Sequence, residues 1–382
     1  MAQHDYVIDN STGANVRADI NNALLAISSN NSGSSAPSTN YASQFFANTT
    51  SSIMQLRNTA NNAHVNLFSL AGAPAFPLDG TINSINVGKG ANSISGNTVL
   101  GESALDATVS GGNNTAIGNT ALTSLTSAAN STAVGFASGS ANTTGTITAV
   151  GSQALGSNQT GNNNTAVGIS SLLNNTASNN TAIGHVSMSA NSSGTQNVAL
   201  GTFALDANTT ANNNTAVGYQ ALTANTSAND NTAVGHNCLA KNTTGTANTG
   251  VGRGVLVENT TASNNTGVGY FALVNNTTGG DNVAVGAQAL DANTTGSDNT
   301  AMGRSSLSSN STGINNSAYG KDSLVNNTTA SNNTAVGESS LFTNTTGGNL
   351  VGIGQSALYA NTTASNNTAV GFSSLAANTT GA

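Results

Sequence analysis

A pattern of apolar, small and polar positions recurs along the chain every 17 residues, and twice after 16. Each unit contains a glycine that closes a motif resembling T-A-V-G. We number positions from this glycine, so that position −1 precedes it and position +4 is the fourth residue after it. The same position in successive units forms a column. The glycines are Gly101, Gly118, Gly135, Gly151, Gly168, Gly184, Gly201, Gly218, Gly235, Gly252, Gly269, Gly286, Gly303, Gly320, Gly337, Gly354 and Gly371.

Two apolar columns run through the units. Position −1 is Val, Ile or Leu except at Met302 and Tyr319, and position +4 is Leu except at Gly139 and Met188. Position +3 is mostly Ala or Ser, and position +7 is Asn in every unit from residue 142 to residue 378. The spacing fits neither a helix nor a heptad. In N-T-A-V-G an extended segment presents Thr and Val on one face and Ala on the other.

These columns predict a mainly β fold, a parallel β-solenoid of 17-residue coils over residues 91–382. One unit is too small to bury its own apolar face, but coils stacked about 4.8 Å apart place each Val over Val and each Leu over Leu. We therefore expect the Val and Leu columns to form the core and the Asn side chains to form amide ladders. The Ala face allows neighbouring chains to approach closely, which predicts a rod that is a homotrimer.

The first 90 residues do not repeat and predict a small α+β module. Helical spacing of apolar residues after Ser11 and Thr12 predicts a helix over about residues 13–28, within an N-terminal segment 1–30. Its apolar stripe consists of Val16, Ile20, Leu24 and Ile27. Residues 31–40 are a Ser-rich linker by composition. Within residues 41–90, the segments 53–57 and 64–68 flank a turn and predict a β-hairpin.

Composition narrows the range of partners. Charged residues make up 5% of the chain, against about 25% in typical globular proteins. With seven Lys and Arg and a net charge of −7, the chain has no basic stripe that could follow a phosphate backbone, so nucleic acid is not an expected partner. The first residues do not resemble a secretion signal, and no apolar stretch approaches the roughly 18 residues of a membrane span. Membrane insertion is therefore not expected.

Candidate catalytic and metal-binding residues are few. Asp281 and Asp298 occupy one column in adjacent units, but no His or Arg shares it, which favours a solvated turn over a catalytic dyad. Cys238 lies in the small column at position +3, which predicts a buried thiol rather than a nucleophile. The four histidines lack the spacing of metal ligands. We predict no catalytic residue, no metal and no cofactor, and hence no enzyme.

The column at position +1 varies in a way that suggests recognition. From Gly218 onward it is rich in aromatic and charged residues, which could contact a glycan or a cell surface through ring faces and guanidinium groups. The alternative is an exposed face without a binding role. The candidate recognition stripe comprises Tyr219, His236, Arg253, Tyr270, Arg304 and Lys321. We also expect an ion pair between Lys321 and Glu338, and a widening of the coil where Tyr319 replaces Val.

Two families resemble parts of this sequence. The N-N-T-A-V-G-x-x-A-L units of residues 97–382 resemble the S-V-A-I-G head repeats of trimeric autotransporter adhesins, which have a shorter period and form left-handed parallel β-rolls wound as trimers. The segments MAQHDYVIDNSTGANVRADINNALLAI and IMQLRNTANNAHVNLF resemble the N-terminal part of tail fibre proteins of tailed bacteriophages, notably marine podoviruses.

The second resemblance implies a virion protein outside the cell. In tail fibres the N-terminus joins the fibre to tail or adaptor proteins, and distal parts meet a glycan or protein of the host surface. An autotransporter adhesin would need a signal peptide and a C-terminal membrane barrel, for which we find no pattern. A tail fibre is thus favoured over a bacterial surface adhesin. It is also favoured over an ice-binding solenoid, because the Thr-Thr pairs fall in turns rather than on a flat T-x-T face.

Overall fold

The computed structural model separates the chain into two compact units, residues 1–82 and residues 83–382. The residues that the structure describes are Ile20 and the ranges 45–51, 53–57, 64–69, 80–82 and 85–381.

The first unit contains a small antiparallel sheet. Strands β1 (Phe45–Asn48), β2 (Ile53–Arg57) and β3 (His64–Ser69) pair in the order β1-β2-β3, and β4 (Gly80–Ile82) follows. Asn48 Oδ1 accepts hydrogen bonds from the main-chain N–H groups of Thr50 and Ser51, which closes the turn between β1 and β2. The antiparallel pairing predicted for residues 53–57 and 64–68 is confirmed.

The predicted N-terminal helix and linker lie outside the described residues. The stripe residues Val16, Leu24 and Ile27 are among those not described, as is all of the linker 31–40. Ile20 is described and 42% exposed. The helix and linker therefore stay predictions.

The second unit is a parallel β-solenoid, as the repeat predicts. Its first strand, β5 (Ile85–Gly88), pairs antiparallel with β6 (Thr98–Gly101), and from β6 onward each strand pairs in parallel with the next. About sixteen coils of roughly 17 residues result. The remaining strands are β7 (Thr115–Ile117), β8 (Thr132–Val134), β9 (Ile147–Val150), β10 (Asn164–Val167), β11 (Thr181–Ile183), β12 (Val198–Leu200), β13 (Thr215–Val217), β14 (Thr232–Val234), β15 (Thr249–Val251), β16 (Thr266–Val268), β17 (Val283–Val285), β18 (Thr300–Met302), β19 (Ser317–Tyr319), β20 (Thr334–Val336), β21 (Val351–Ile353) and β22 (Thr368–Val370).

The interior of the solenoid is lined by small residues at position −2, small residues at +3 and Leu at +4. Along β13, for example, Ala216 is buried while Thr215 and Val217 on either side of it are partly exposed. The prediction that the Val column is in the core and the Ala column outside is therefore wrong. Side chains at position −1 face outward, with Val251 38% and Ile353 39% exposed.

The reason for this inversion is the narrow interior. Gly250 takes the place of Ala at position −2, and a methyl group built there would overlap Cys238 Sγ and lie 3.4 Å from Val255 Cγ1. The interior therefore leaves room for no more than a small residue at position −2, and a larger side chain would overpack the coil. The close approach of other chains to an Ala face, from which a trimer was predicted, is thus not available.

One departure from the Leu column is compensated inside the coil. Gly139 stands where other coils have Leu at position +4. In the same coil, Ile147 stands at position −4 before Gly151, where most coils have Asn. A Cβ built on Gly139 would lie 2.7 Å from Ile147 Cδ1 and 3.0 Å from Leu122 Cδ2. The isoleucine is 2% exposed and fills the volume that the leucine leaves.

The glycine of each unit forms a corner that only glycine can form. Its φ lies between +123° at Gly337 and +156° at Gly101, a backbone region that other residues rarely adopt. In every unit but the last, a Cβ at this position would overlap the carbonyl group of the corresponding glycine in the next coil. Backbone conformation and inter-coil packing together therefore account for the unbroken glycine column.

Two ladders of buried asparagines run through the coils. At position +7, Asn242 Nδ2 donates to Asn225 Oδ1 at 3.2 Å in the preceding coil. At position −4, the main-chain N–H of Asn231 donates to Asn214 Oδ1 at 3.0 Å. Both columns also donate to an inward carbonyl at position +10, since Gly245 O accepts from Asn231 and Asn242. The predicted amide ladders are confirmed.

We expect Asn225→Ala to destabilise the solenoid by about 1–3 kcal/mol. The substitution removes the donor to Asn208 Oδ1 and to Ala228 O, and the acceptor of the Asn242 amide. The midpoint of chemical unfolding, followed by circular dichroism, measures the effect.

The matched control is Ser227→Ala, an exposed position two residues further on. Its unfolding midpoint should equal that of the parent protein. Equal midpoints for the Asn225 and Ser227 variants would show that the amide ladder does not stabilise the fold.

Tyr319 occupies the outward column without disturbing the stack. It is 41% exposed and lies in register between Met302 and Val336. The ladder bonds on its two sides measure 2.8 Å (Gly320 N to Met302 O) and 2.7 Å (Gly337 N to Tyr319 O), like those elsewhere. The predicted widening is wrong, because a tyrosine that points outward needs no additional space between coils.

Two substitutions in β19 test which face is internal. Ala318→Val should destabilise by about 1–3 kcal/mol because it overpacks the interior. Tyr319→Val, which restores the residue common in its column, should destabilise less than Ala318→Val because it adds no volume to the interior. Thermal unfolding of both variants measures the difference, and the reverse order of stabilities would refute the inside–outside assignment.

Candidate functional site

The column at position +1 lies on the outside of the solenoid, next to the glycine corner. Its large side chains are exposed, with Tyr219 45% and Tyr270 48% accessible. Because coils are stacked in register, residues 17 apart in this column become neighbours. The structure thus places the six residues of the recognition stripe on one face but divides them into two groups with different chemistry.

The first group begins as a continuous row of rings. His185 and Phe203 meet edge to face with centroids 5.6 Å apart, and Phe203 meets Tyr219 similarly at 6.3 Å. Tyr219 and His236 are stacked, with centroids 5.4 Å apart and an interplanar angle of 21°. Four successive coils therefore contribute to one aromatic surface.

The row continues through an arginine held by two rings. Arg253 Cζ lies 5.8 Å from the ring centroids of both Tyr270 and Phe271. These two rings are themselves in contact, with centroids 4.3 Å apart. Arg253 forms no ion pair with any residue that the structure describes, so its N–H groups stay available for an anionic partner.

A notch of about 190 Å³ opens beside Arg253. Position +2 is glycine at residue 254, and the ring of Phe271, which lines the notch, lies where a side chain of residue 254 would be. Asn237 contributes a buried Oδ1 atom without a hydrogen-bond donor. The lining residues are His236, Asn237, Arg253, Gly254, Val257, Phe271 and Val274.

In the second group, Arg304 and Lys321 form ion pairs with acidic side chains. Lys321 Nζ lies 3.1 Å from Glu338 Oε1 and 3.5 Å from Asp322 Oδ2, which confirms the predicted pair with Glu338. The hydrogen bond to Glu338 raises the pKa of the Lys321 ammonium group above its ordinary value. Arg304 Nη2 is 4.0 Å from Asp322 Oδ1. This charged group is separate from the aromatic row.

Other candidate residues have structural environments. Asp281 and Asp298 are exposed turn residues with left-handed φ values of 56° and 59°, in line with the predicted solvated turn. Cys238 is fully buried, and burial raises the pKa of its thiol to about 12, so the nucleophilic thiolate is absent at neutral pH. The prediction of a buried thiol is confirmed.

Within the described ranges, no three His, Cys, Asp or Glu side chains come together as a metal would require. No helix among the described residues has the length and apolar character to cross a membrane. Two aspartates at position +5 are half-buried, and burial raises the pKa of both the Asp206 and the Asp291 carboxyl groups. Asp206 accepts a hydrogen bond from Thr223 at 2.6 Å, whereas the buried Asp291 Oδ1 has no donor.

Sequence reasoning missed the column at position +2. It contributes Phe203, Asn237, Gly254 and Phe271 to the aromatic face, although successive members of this set are separated by 17 or 34 positions and are mostly unlike one another. The sequence did contain an indication of this site, because Gly254 is the one glycine at position +2, where all other units have a residue with a side chain. Comparisons with protein-family models, with curated proteins and with solved structures found no match.

Proposed function

We propose that the chain is a structural protein, not an enzyme, that forms the shaft of a virion tail fibre and presents a recognition surface to a host cell. The observation that carries this proposal is the uninterrupted solenoid from β6 to β22, with hydrogen-bond ladders from coil to coil. At about 4.8 Å per coil this unit is roughly 80 Å long. Such a rod suits a spacer between a particle and a surface.

Assembly as a homotrimer is supported by the outward face of the strands. Position −1 exposes an apolar side chain in coil after coil, and neither position −1 nor position −3 carries a charged residue. Contiguous apolar surface of this kind is unusual on a monomer. A second and third copy have the same repeat distance, so they match this surface coil by coil over its whole length.

The two ends of the proposed fibre have different partners. The resemblance of the first 90 residues to tail fibres supports attachment of the N-terminus to tail or adaptor proteins, with Val16, Ile20, Leu24 and Ile27 joining the helices of three chains. The aromatic row with Arg253 supports contact with a host glycan or protein. The proposed location is the virion, outside the cell, with neither nucleic acid nor a membrane as partner.

The assembly proposal predicts that the full chain sediments as a trimer and appears by electron microscopy with a rod of roughly 80 Å. The double substitution Val217→Asp and Val234→Asp places charges on the outward face and should yield monomers that keep the circular dichroism spectrum of the parent. Thr210→Asp, in an exposed turn, is the control and should stay trimeric. A folded monomer of the parent protein would contradict the proposal.

The recognition proposal predicts that the purified trimer binds bacterial cells and competes with phage particles for adsorption. Tyr219→Ala should weaken this competition because it interrupts the aromatic row. Fluorescence of labelled protein on cells measures binding. A trimer that binds no cells and blocks no adsorption would contradict a role in host contact.

Ice binding is a second candidate, favoured by one observation. The outward face carries Thr at position −3 and an apolar residue at −1 in most coils, a regular array with about 4.8 Å between coils and roughly 6.8 Å along each strand. In the proposed trimer this face is covered. We therefore expect no thermal hysteresis and no shaping of ice crystals by the assembled protein, and their appearance would favour the ice-binding function over the fibre.

A further inference from the structure

We infer that the notch at Gly254 is a binding site for a single carboxylated sugar unit, a hexuronate. The inference deepens the proposed function, because it assumes that the aromatic face contacts a surface polysaccharide. It assigns a ligand class and a location between the coils of Gly235 and Gly269.

The size of the notch matches one sugar ring rather than a larger ligand. At about 190 Å³ it is smaller than the roughly 300–1,000 Å³ of sites for drug-sized molecules. Its apolar wall consists of the Phe271 ring and the side chains of Val257 and Val274. An aromatic ring beside aliphatic groups suits the C–H face of a pyranose, which is the apolar side of a sugar.

The polar groups of the notch complement a hydroxyl and a carboxylate. Asn237 Oδ1 is buried without a donor, and such an atom gains a hydrogen bond when a ligand hydroxyl reaches it. Arg253 supplies a planar guanidinium group, whose paired N–H donors match a carboxylate. The rings of Tyr270 and Phe271 hold this group in place.

Arg253 differs from Lys241, Arg304 and Lys321 in its acidic neighbours. Lys241 lies 2.7 Å from Glu258, and both Arg304 and Lys321 have acidic neighbours within 4.0 Å. Arg253 has no carboxylate partner among the described residues, in a chain with twice as many acidic as basic residues. An external carboxylate is the partner that its environment lacks.

The glycine at position 254 makes room for the ring that forms one wall of the notch. In the same column Asn237 has φ +55°, close to the +66° of Gly254, so the backbone there accepts a side chain. Glycine at residue 254 is instead required by the ring of Phe271, which lies over it. Replacement by asparagine would displace the ring and so change the wall of the notch, at a backbone position that accepts a side chain.

The test is a titration of the full chain with galacturonic acid, galactose and acetate, followed by ligand-observed saturation-transfer NMR. Galactose has the same ring without the carboxylate, and acetate has the carboxylate without the ring. We expect galacturonic acid to bind at least about tenfold more tightly than either. Equal affinities for galacturonic acid and galactose, or for galacturonic acid and acetate, would overturn the inference.

Three variants locate the site. Arg253→Gln should abolish the preference for galacturonic acid over galactose, and Gly254→Asn should weaken binding of galacturonic acid about tenfold or more. Lys241→Gln removes one positive charge in the adjacent coil outside the notch and should leave binding unchanged. Unfolding midpoints near that of the parent show that the variants are folded. A preference that survives in Arg253→Gln, or that is lost in Lys241→Gln, would refute the assignment.

The outcome also separates this inference from the proposed function. If the trimer binds cells but shows no preference for galacturonic acid, the hexuronate site is wrong and the fibre proposal stands. If galacturonic acid binds at the notch but the trimer binds no cells, the site is real and the role in host contact is wrong.

Discussion

The buried asparagine amides are the interaction on which the rest of this solenoid depends. In each coil the carbonyl group at position +10 points into the interior. A buried carbonyl needs a hydrogen-bond donor, from the protein or from water. In most coils the amides at positions −4 and +7 both supply that donor, as Asn214 and Asn225 do for Ala228 O. Because each amide also bonds to the neighbouring coil, a shift in register would leave a row of buried polar groups unpaired.

This constraint explains where the repeat tolerates change. In the 16-residue unit after Gly168, the exposed turn between positions +7 and +10 loses one residue, and Asn175 Nδ2 still reaches Ala177 O at 2.8 Å, two residues on. Elsewhere the same bond spans three residues, as from Asn225 to Ala228. This deletion therefore falls in an exposed turn, whereas the Asn ladder at position +7 continues from residue 142 to residue 378 and the glycine corner recurs in every unit.

A small interior also determines what the outer surface can offer. Ala, Ser, Leu and Asn fill most of the interior. Most Val, Thr and aromatic side chains therefore lie on the outer surface, where the stacking of coils aligns them in columns. The same column at position +1 carries two kinds of chemistry, a row of rings with Arg253 and an ion-paired group around Lys321. A regular scaffold thus holds irregular surface chemistry at fixed spacing, which is the arrangement that a recognition surface needs.

The sequence by itself determined the period, the parallel register, the amide ladders and the exposure of Tyr219 and Arg253, because each depends on residues that recur at constant spacing. It could not determine which strand face is internal. Alternation along T-A-V separates two faces, but the choice between Ala216 and Val217 depends on the space left by Leu222 and by the coils on either side. The notch at Gly254 likewise depended on the tertiary structure, since the ring that covers this glycine belongs to Phe271, one coil away. Packing between coils decided both the internal face and the notch, because residues 17 apart come into contact only once the chain has closed a turn of the solenoid.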